Sequence, residues 1–442
     1  MKSNYVIFSL LLFALACSSC GLSASSQSVN DENEIALQQA RQNIEKFRKG
    51  DFVIKLKAKQ SNAKNNVRLH IKQISHDFKF GCYLKMDDLD ESKLPSYEKR
   101  FKQLFNYAVI GTYWDVTENK RDAPTWQNFE RELSFAMKNG WRTQAAPILW
   151  GTNQAGTPNW LPRKKQDLQT VLDERVRDFM LKNTLKIEDF EIVNEPFAPR
   201  SDVFARSIGE NYVDSAFKIA RETSPNSRLM INEYGVFGDV AANNYNSDKY
   251  LTWLRKSQNV SFDVIGIQAH ANREWYAPAD VAAKLEKYAA LGKPLQISEF
   301  SAQTRNYDDR KRREKVLGNY QTGFWDDEKQ AQFYQEFYTI AFGNPQVEAI
   351  VQWGLDDERA WLPGIGLIDE NENPKPNFIA LDDLINRQWR TEFDAKLDES
   401  KPLQMRGFYG DYQIEVFRNE SKIKTIDFKL TKNSANVWVI NL

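Results

Sequence analysis

Two glutamates close short apolar runs in a way that could carry chemistry. The segment "FEIVNEP" delivers Asn194 and Glu195 at the end of one run, and "LQISEF" delivers Glu299 at the end of another. A carboxyl group that gives up a proton and a second that attacks carbon are the two tools of glycosidic-bond hydrolysis. Each glutamate alone reads equally well as a helix cap or an ion-pair partner. Their joint placement, with Asn before the first and Pro after it, points to catalysis. A third run, "IGIQAHA", ends in Gln268 and His270, which period-two alternation puts on the same side of a strand. A hydrogen-bonded core histidine is the rival reading of His270.

Other chemistries find less support. The chain has 3 His and 3 Cys with no cluster at ligand spacing, so no metal and no cofactor is expected. Asp356, Asp357 and Glu358 read as a solvated acidic loop. "GIG" at Gly364–Gly366 lacks the third glycine and the strand-to-helix setting of a nucleotide loop. Lys plus Arg equals Asp plus Glu at 60 each, which leaves no net field for a phosphate backbone, and nucleic acid is excluded as an expected partner.

The elements that must position these side chains follow from periodicity. From Phe78 onward, short apolar runs alternate with amphipathic stretches. Strands are predicted at Phe78–Tyr83, Tyr107–Tyr113, Thr143–Trp150, Asp189–Asn194, Arg228–Asn232, Asp263–His270, Pro294–Glu299 and Glu348–Trp353. Helices between them include Asp167–Asn183, Phe204–Thr223, Pro278–Leu291 and Glu328–Phe342. Eight such units predict a TIM-type (β/α)8 barrel over residues 77–390, an α/β fold whose chemistry gathers at the carboxyl ends of the strands. Glu195 and Glu299 then close strands four and seven, nearly opposite across the mouth.

Flanking segments differ. Lys2 and the apolar run Tyr5–Ala16 read as an export signal, too short to span a bilayer. "LAC" at Leu15–Cys17 resembles a lipoprotein cleavage site, which predicts a lipid anchor on the outer membrane through Cys17 or Cys20; a cut near Ala16 or Ala24 with free secretion is the alternative. Residues 1–24 are assigned to this signal and the start of a tether, Ser23–Asp31 reading as tether. Residues 33–76 are predicted to form a helix and a β-hairpin, and residues 391–442 a small C-terminal β module, with pairing to the N-terminal hairpin as the expectation. Only Cys82 lies in the folded part, so no disulfide framework is expected. A monomer is expected.

The motifs also carry a resemblance. "EIVNEP", "MINEY", "IGIQAHAN", "ISEF" and above all Val351–Phe378, "VQWGLDDERAWLPGIGLIDENENPKPNF", are similar to the signatures of glycoside hydrolase family 10, the β-1,4-xylanase family of the large retaining barrel clan. The likeness spans about Phe78 to Asn386. It implies Glu195 as acid/base, Glu299 as nucleophile, Asn194 on the sugar 2-hydroxyl, Gln268 and His270 beside the nucleophile, and Trp353 and Trp361 as walls of the sugar site, with core packing the rival for both tryptophans. Asn232 and Tyr234 come with the strand-five motif. A xylan-type polysaccharide is the implied partner.

The chain departs from the family on strands two and three. Tyr113 stands where the family has a lysine, close before Trp114, and the family's Glu-Asn pair is absent. Ala145, Ala146 and Pro147 precede Trp150 where the family has Gly-His. Tyr113, Trp114 and Trp150 are therefore expected to form a more aromatic subsite. The competing expectations are a barrel that binds polysaccharide without cutting it, and a clan relative with another β-glycan substrate.

Overall fold

The computed structural model describes residues 18–57, 67–152, 155–197, 202–237, 247–271, 275–304, 326–397 and 401–442. The predicted alternation closes into a parallel barrel. Its strands are β3 (Lys79–Leu84), β4 (Tyr107–Gly111), β5 (Arg142–Ala146) with β6 (Leu149–Trp150), β7 (Asp189–Asn194), β8 (Arg228–Glu233), β9 (Val264–Ala271), β10 (Leu295–Ala302) and β11 (Val347–Gln352). β11 pairs with β3, and both β5 and β6 pair with β7, so the ring has no free edge. The third strand comes in two pieces because Pro147, after a cis Ala146–Pro147 bond, has no N–H to give the ladder. The predicted helix Phe204–Thr223 is likewise two, Val203–Ile208 and Tyr212–Thr223, broken at Gly209 with φ 93°.

The main core lies between the barrel and its helices, which is why β7 and β10 are buried along their whole length. At the base, the interior is filled by polar side chains. Asp189 takes ion pairs from Lys79 and, at 2.8 Å, from Arg228. Arg228 also pairs with Glu348. The Tyr107 hydroxyl donates to Asp189 at 2.6 Å and lies 2.8 Å from Gln144 Oε1. Burial alone would push the Asp189 carboxyl up, but Lys79 and Arg228 outweigh it and hold the group below its ordinary value.

Two expectations about the flanks are corrected. Helix α1 runs Ser18–Phe47, through the stretch read as a tether. No Gly or Pro occurs between Leu22 and Lys49, so nothing there stops a helix. The next two strands, β1 (Lys49–Lys57) and β2 (Val67–His76), do not pair with each other. β1 lies between β13 (Leu403–Phe408) and β16 (Val437–Asn441), and β2 between β12 (Glu392–Leu397) and β14 (Gly410–Arg418), with β15 (Ser421–Leu430) beyond β14. The chain's two flanks thus build one sandwich of three- and four-stranded sheets. Phe52, Ile54, Leu69, Ile71, Ile414 and Trp438 belong to its core.

The sandwich sits under the base, since β2 leads directly into the start of β3. Arg48 fixes it there, donating to the carbonyl oxygens of Phe342, Asn344 and Val347 at 2.7, 2.6 and 2.6 Å. α1 packs along the barrel wall between helices Pro278–Ala289 and Asp327–Gly343. A Cβ on Gly343 would come within 2.7 Å of the Ala40 carbonyl oxygen, so only glycine allows this approach. At the mouth end of the same helix, the Asn33 side chain accepts the Ala279 N–H at 3.1 Å.

Candidate active site

Strand geometry brings the two glutamates to one place. Glu195 follows β7 immediately and has φ 53°, a left-handed conformation that costs a non-glycine residue roughly 1–2 kcal/mol. Its N–H donates to the Asn232 carbonyl at 2.9 Å, which ties the strained residue to the neighbouring strand. The carboxyl then accepts from Gln268 Nε2 at 2.8 Å and from Trp150 Nε1 at 2.9 Å. Burial, and next the charge of Glu299, push the Glu195 carboxyl up to about 7, against the opposing pull of these donors.

Glu299 is aimed by an irregularity in β10. The register shifts between Ile297 and the following residues against both neighbouring strands. On a flat strand Ser298 and Glu299 would point to opposite faces; across the shift both reach Asn232. The Ser298 hydroxyl donates to Asn232 Oδ1 at 2.5 Å, and Asn232 Nδ2 donates to Glu299 Oε1 at 3.0 Å. The other oxygen, Oε2, is 3.0 Å from His270 Nε2, whose Nδ1 is 2.8 Å from Ser301 Oγ. Gln268 is the register partner of Glu299 on β9 and also bonds Asn194, at 3.2 Å, so one amide joins both sides of the site.

The remaining predicted residues divide. Trp353 and Trp361 flank His270, with ring centroids at 6.5 and 5.0 Å. Trp361 is 50 % exposed and free to meet a ligand. Trp353 is nearly buried inside the barrel mouth, stacked on Tyr83 at 4.6 Å. The Tyr234 hydroxyl is pushed up to about 12, by burial first and then by the charges of Glu195 and Glu233. Tyr113 leans on Trp150, centroids 5.8 Å apart, and hydrogen-bonds Tyr83. Gly111 makes room for this pair, because a Cβ there would lie 2.5 Å from the Tyr83 hydroxyl.

Three expectations change. Trp114 is 2 % exposed, packed edge-on against Trp160 and under the Arg175 guanidinium, so it belongs to the core and faces no ligand. Asn232 is completely buried and serves Glu299 from below, where no sugar reaches. Asp356 and Asp357 are not a solvated loop: Asp356 is buried on Arg359 at 2.9 Å, and Asp357 meets Lys375 at 2.8 Å. These pairs brace the segment that carries Trp361.

Glu191, Ser298, Ser301 and Tyr83 were not foreseen. Glu191 had a signal, since it sits two residues after Asp189 and therefore shares its inward face. Ser301 sits two residues past Glu299 and was hidden because that run was read as ending at Glu299.

Known proteins resemble this chain in sequence and fold. The family model described as glycosyl hydrolase family 10 matches residues 31–384. The chain belongs to glycosyl hydrolase family 10. Among curated relatives, endo-1,4-beta-xylanase B of Thermotoga neapolitana is 28% identical over 316 residues, 67% of this chain and 86% of that one. Endo-1,4-beta-xylanase B of Cellvibrio japonicus is 27% identical over 268 residues, 60% of this chain but only 39% of that protein's length. Native xylanase 10B from Thermotoga maritima superposes with a TM-score of 0.59 at 23% identity, covering 71% of this chain and 96% of that one. The protein is a glycoside hydrolase on a TIM barrel. Along one side of the mouth Trp150, Tyr113, Tyr83 and Trp353 form a row, where Ala146 packs beneath with Tyr107 and Val109.

Proposed function

We propose that this protein is a retaining endo-hydrolase of β-1,4-xylan or a closely related plant β-glycan. Glu195 is the general acid: its proton passes to the glycosidic oxygen as the C–O bond breaks and the leaving chain departs as an alcohol. Glu299 attacks the anomeric carbon and forms a glycosyl ester. A water then gives its proton to Glu195 and its oxygen to the anomeric carbon, and the Glu299 carboxylate leaves. This mechanism needs the two carboxyls about 5–5.5 Å apart. The reading is carried by the contrast between the two environments: one carboxyl is held protonated up to about 7, and the other is ringed by the donors Asn232 and His270. Asn194 and Gln268 bind the sugar at the cleavage point, and Trp361 stacks on it. The aromatic row suits a decorated or unusual chain, because it offers ring faces in place of fixed charges.

Glu299→Gln tests the assignment on xylan, arabinoxylan, mixed-linkage glucan and cellulose, with product sizes recorded. Loss of at least about 10³-fold in kcat is expected. The first-formed products of the unaltered protein keep the β configuration by NMR; inverted products overturn the mechanism. We further propose that the N-terminal segment directs export and lipid anchoring through Cys17 or Cys20. Palmitate labelling in a bacterial host reads this directly, and an unlabelled protein refutes it.

A further inference from the structure

The barrel interior holds a third mouth-side carboxyl to which the mechanism gives no part. Glu191 is 2 % exposed and lies on β7, four residues before Glu195. Its Oε2 accepts Asn232 Nδ2 at 3.2 Å, the same amide nitrogen that serves Glu299, and Gln144 Nε2 at 3.4 Å. Two residues earlier on the same strand, Asp189 is equally buried but rests between Lys79 and Arg228. Among the described residues Glu191 has no such support. The groups that act on it are Glu195 from its own strand, Gln144 from β5, Asn232 from β8 and Glu299 from β10, and none of them is a cation.

We propose that Glu191 is a permanently neutral carboxylic acid that holds the Asn232 amide toward Glu299, a positioning residue for the nucleophile. An unpaired carboxylate in this dry layer is strongly disfavoured, and protonation removes the penalty. Oε2 is then the carbonyl oxygen, a weaker acceptor than a carboxylate, so of the two Asn232 Nδ2 hydrogens the one to Glu299 makes the closer bond. Burial and the Glu299 charge both push the Glu191 carboxyl well above its ordinary range, in the same direction. Given the roles assigned above to Glu195 and Glu299, on which this inference rests, the three carboxyls carry one negative charge in the resting enzyme. During glycosylation that charge moves from Glu299 to Glu195, while Glu191 keeps its proton.

The test uses the full chain. Near pH 7 the infrared spectrum of Glu195→Gln, whose acid proton is gone, minus that of Glu195→Gln/Glu191→Gln shows the C=O stretch of one protonated carboxyl, since the protonated Glu132 carboxyl is common to both and cancels. A difference without that band overturns the proposal, and this readout needs no activity, so it survives failure of the assigned roles. In kinetics, Glu191→Ala lowers kcat about tenfold or more with KM changed less than about twofold, and Glu191→Gln restores much of the loss. The pH limits of kcat/KM in Glu191→Gln stay within about 0.3 unit of the unaltered protein. A downward move of the Glu195 limit by about one unit or more would mean that a charge had been removed, and the proposal falls.

Discussion

The base and the mouth of this barrel are built on the same strands and use the same acidic residue types, yet they treat charge in opposite ways. At the base Asp189, Glu188 and Glu348 find Lys79 and Arg228, and the layer is an ion network. At the mouth Glu191, Glu195 and Glu299 are met by amides, an indole and an imidazole. The base neutralises its carboxylates with fixed cations, which makes their ionisation permanent and their value structural. Amide and ring donors at the mouth leave protons free to move, which is what acid catalysis requires. Two residues along β7 separate one regime from the other.

The contrast is open to attack at several points. Glu195→Gln should do the most damage to chemistry and little to stability. A drop of about 10²–10⁴ in kcat is expected on a glycan with a poor leaving group, with Tm unchanged or higher. In the unaltered protein kcat/KM should fall as pH rises through about 7, where Glu195 loses its proton. An equal fall in Tm and activity for this variant would blur the distinction. Lys79→Met should behave inversely. It leaves Asp189 with Arg228 alone and Glu188 without its cation, so urea unfolding should show a loss of about 1–3 kcal/mol, while kcat of the folded fraction holds.

Glu132 extends the mouth-side pattern to the rim. Buried and bonded to the Met86 N–H at 2.8 Å, its carboxyl is pushed up to about 8 by burial first and by Asp87. Between the ordinary value of 4.5 and about 8 the folded chain keeps a proton that the unfolded chain releases, so stability falls as pH rises through that window. Glu132→Gln should flatten this slope, an effect on the order of a few kcal/mol in paired melts at pH 5 and 8. Trp361→Ala should be the mildest change: KM up about fivefold from lost stacking, with stability within about 0.5 kcal/mol.

Much of this was legible because barrel strands announce themselves. Apolar runs such as those before Asn194 and Asn232 are buried on both sides, so their positions follow from hydrophobicity alone. The catalytic candidates followed in turn, as polar residues closing such runs. What a run cannot reveal is its partner: alternation in β1 and β2 marked both as strands, but pairing with segments more than 300 residues away leaves no trace in local pattern. Direction was lost in a similar way at Trp114. An aromatic residue beside a strand end reads as a sugar platform or as core, and only the Arg175 and Trp160 contacts decide for core. Asn232 shows the same limit for a polar residue, since burial turns a ligand contact into a support.

Helix α1 enters the fold at the catalytic end and descends to the sandwich, as Asn33 at the top and Arg48 at the bottom record. Should the proposed lipid hold the residue before this helix at a bilayer, about 22 Å of helix, from Ser18 to Asn33, would stand between the lipid and the cleft. The opening would then look down toward the envelope and the sandwich outward to the medium. Glycan strands would have to slip sideways between protein and lipid, a geometry that favours fragments already short enough to diffuse there over intact fibres.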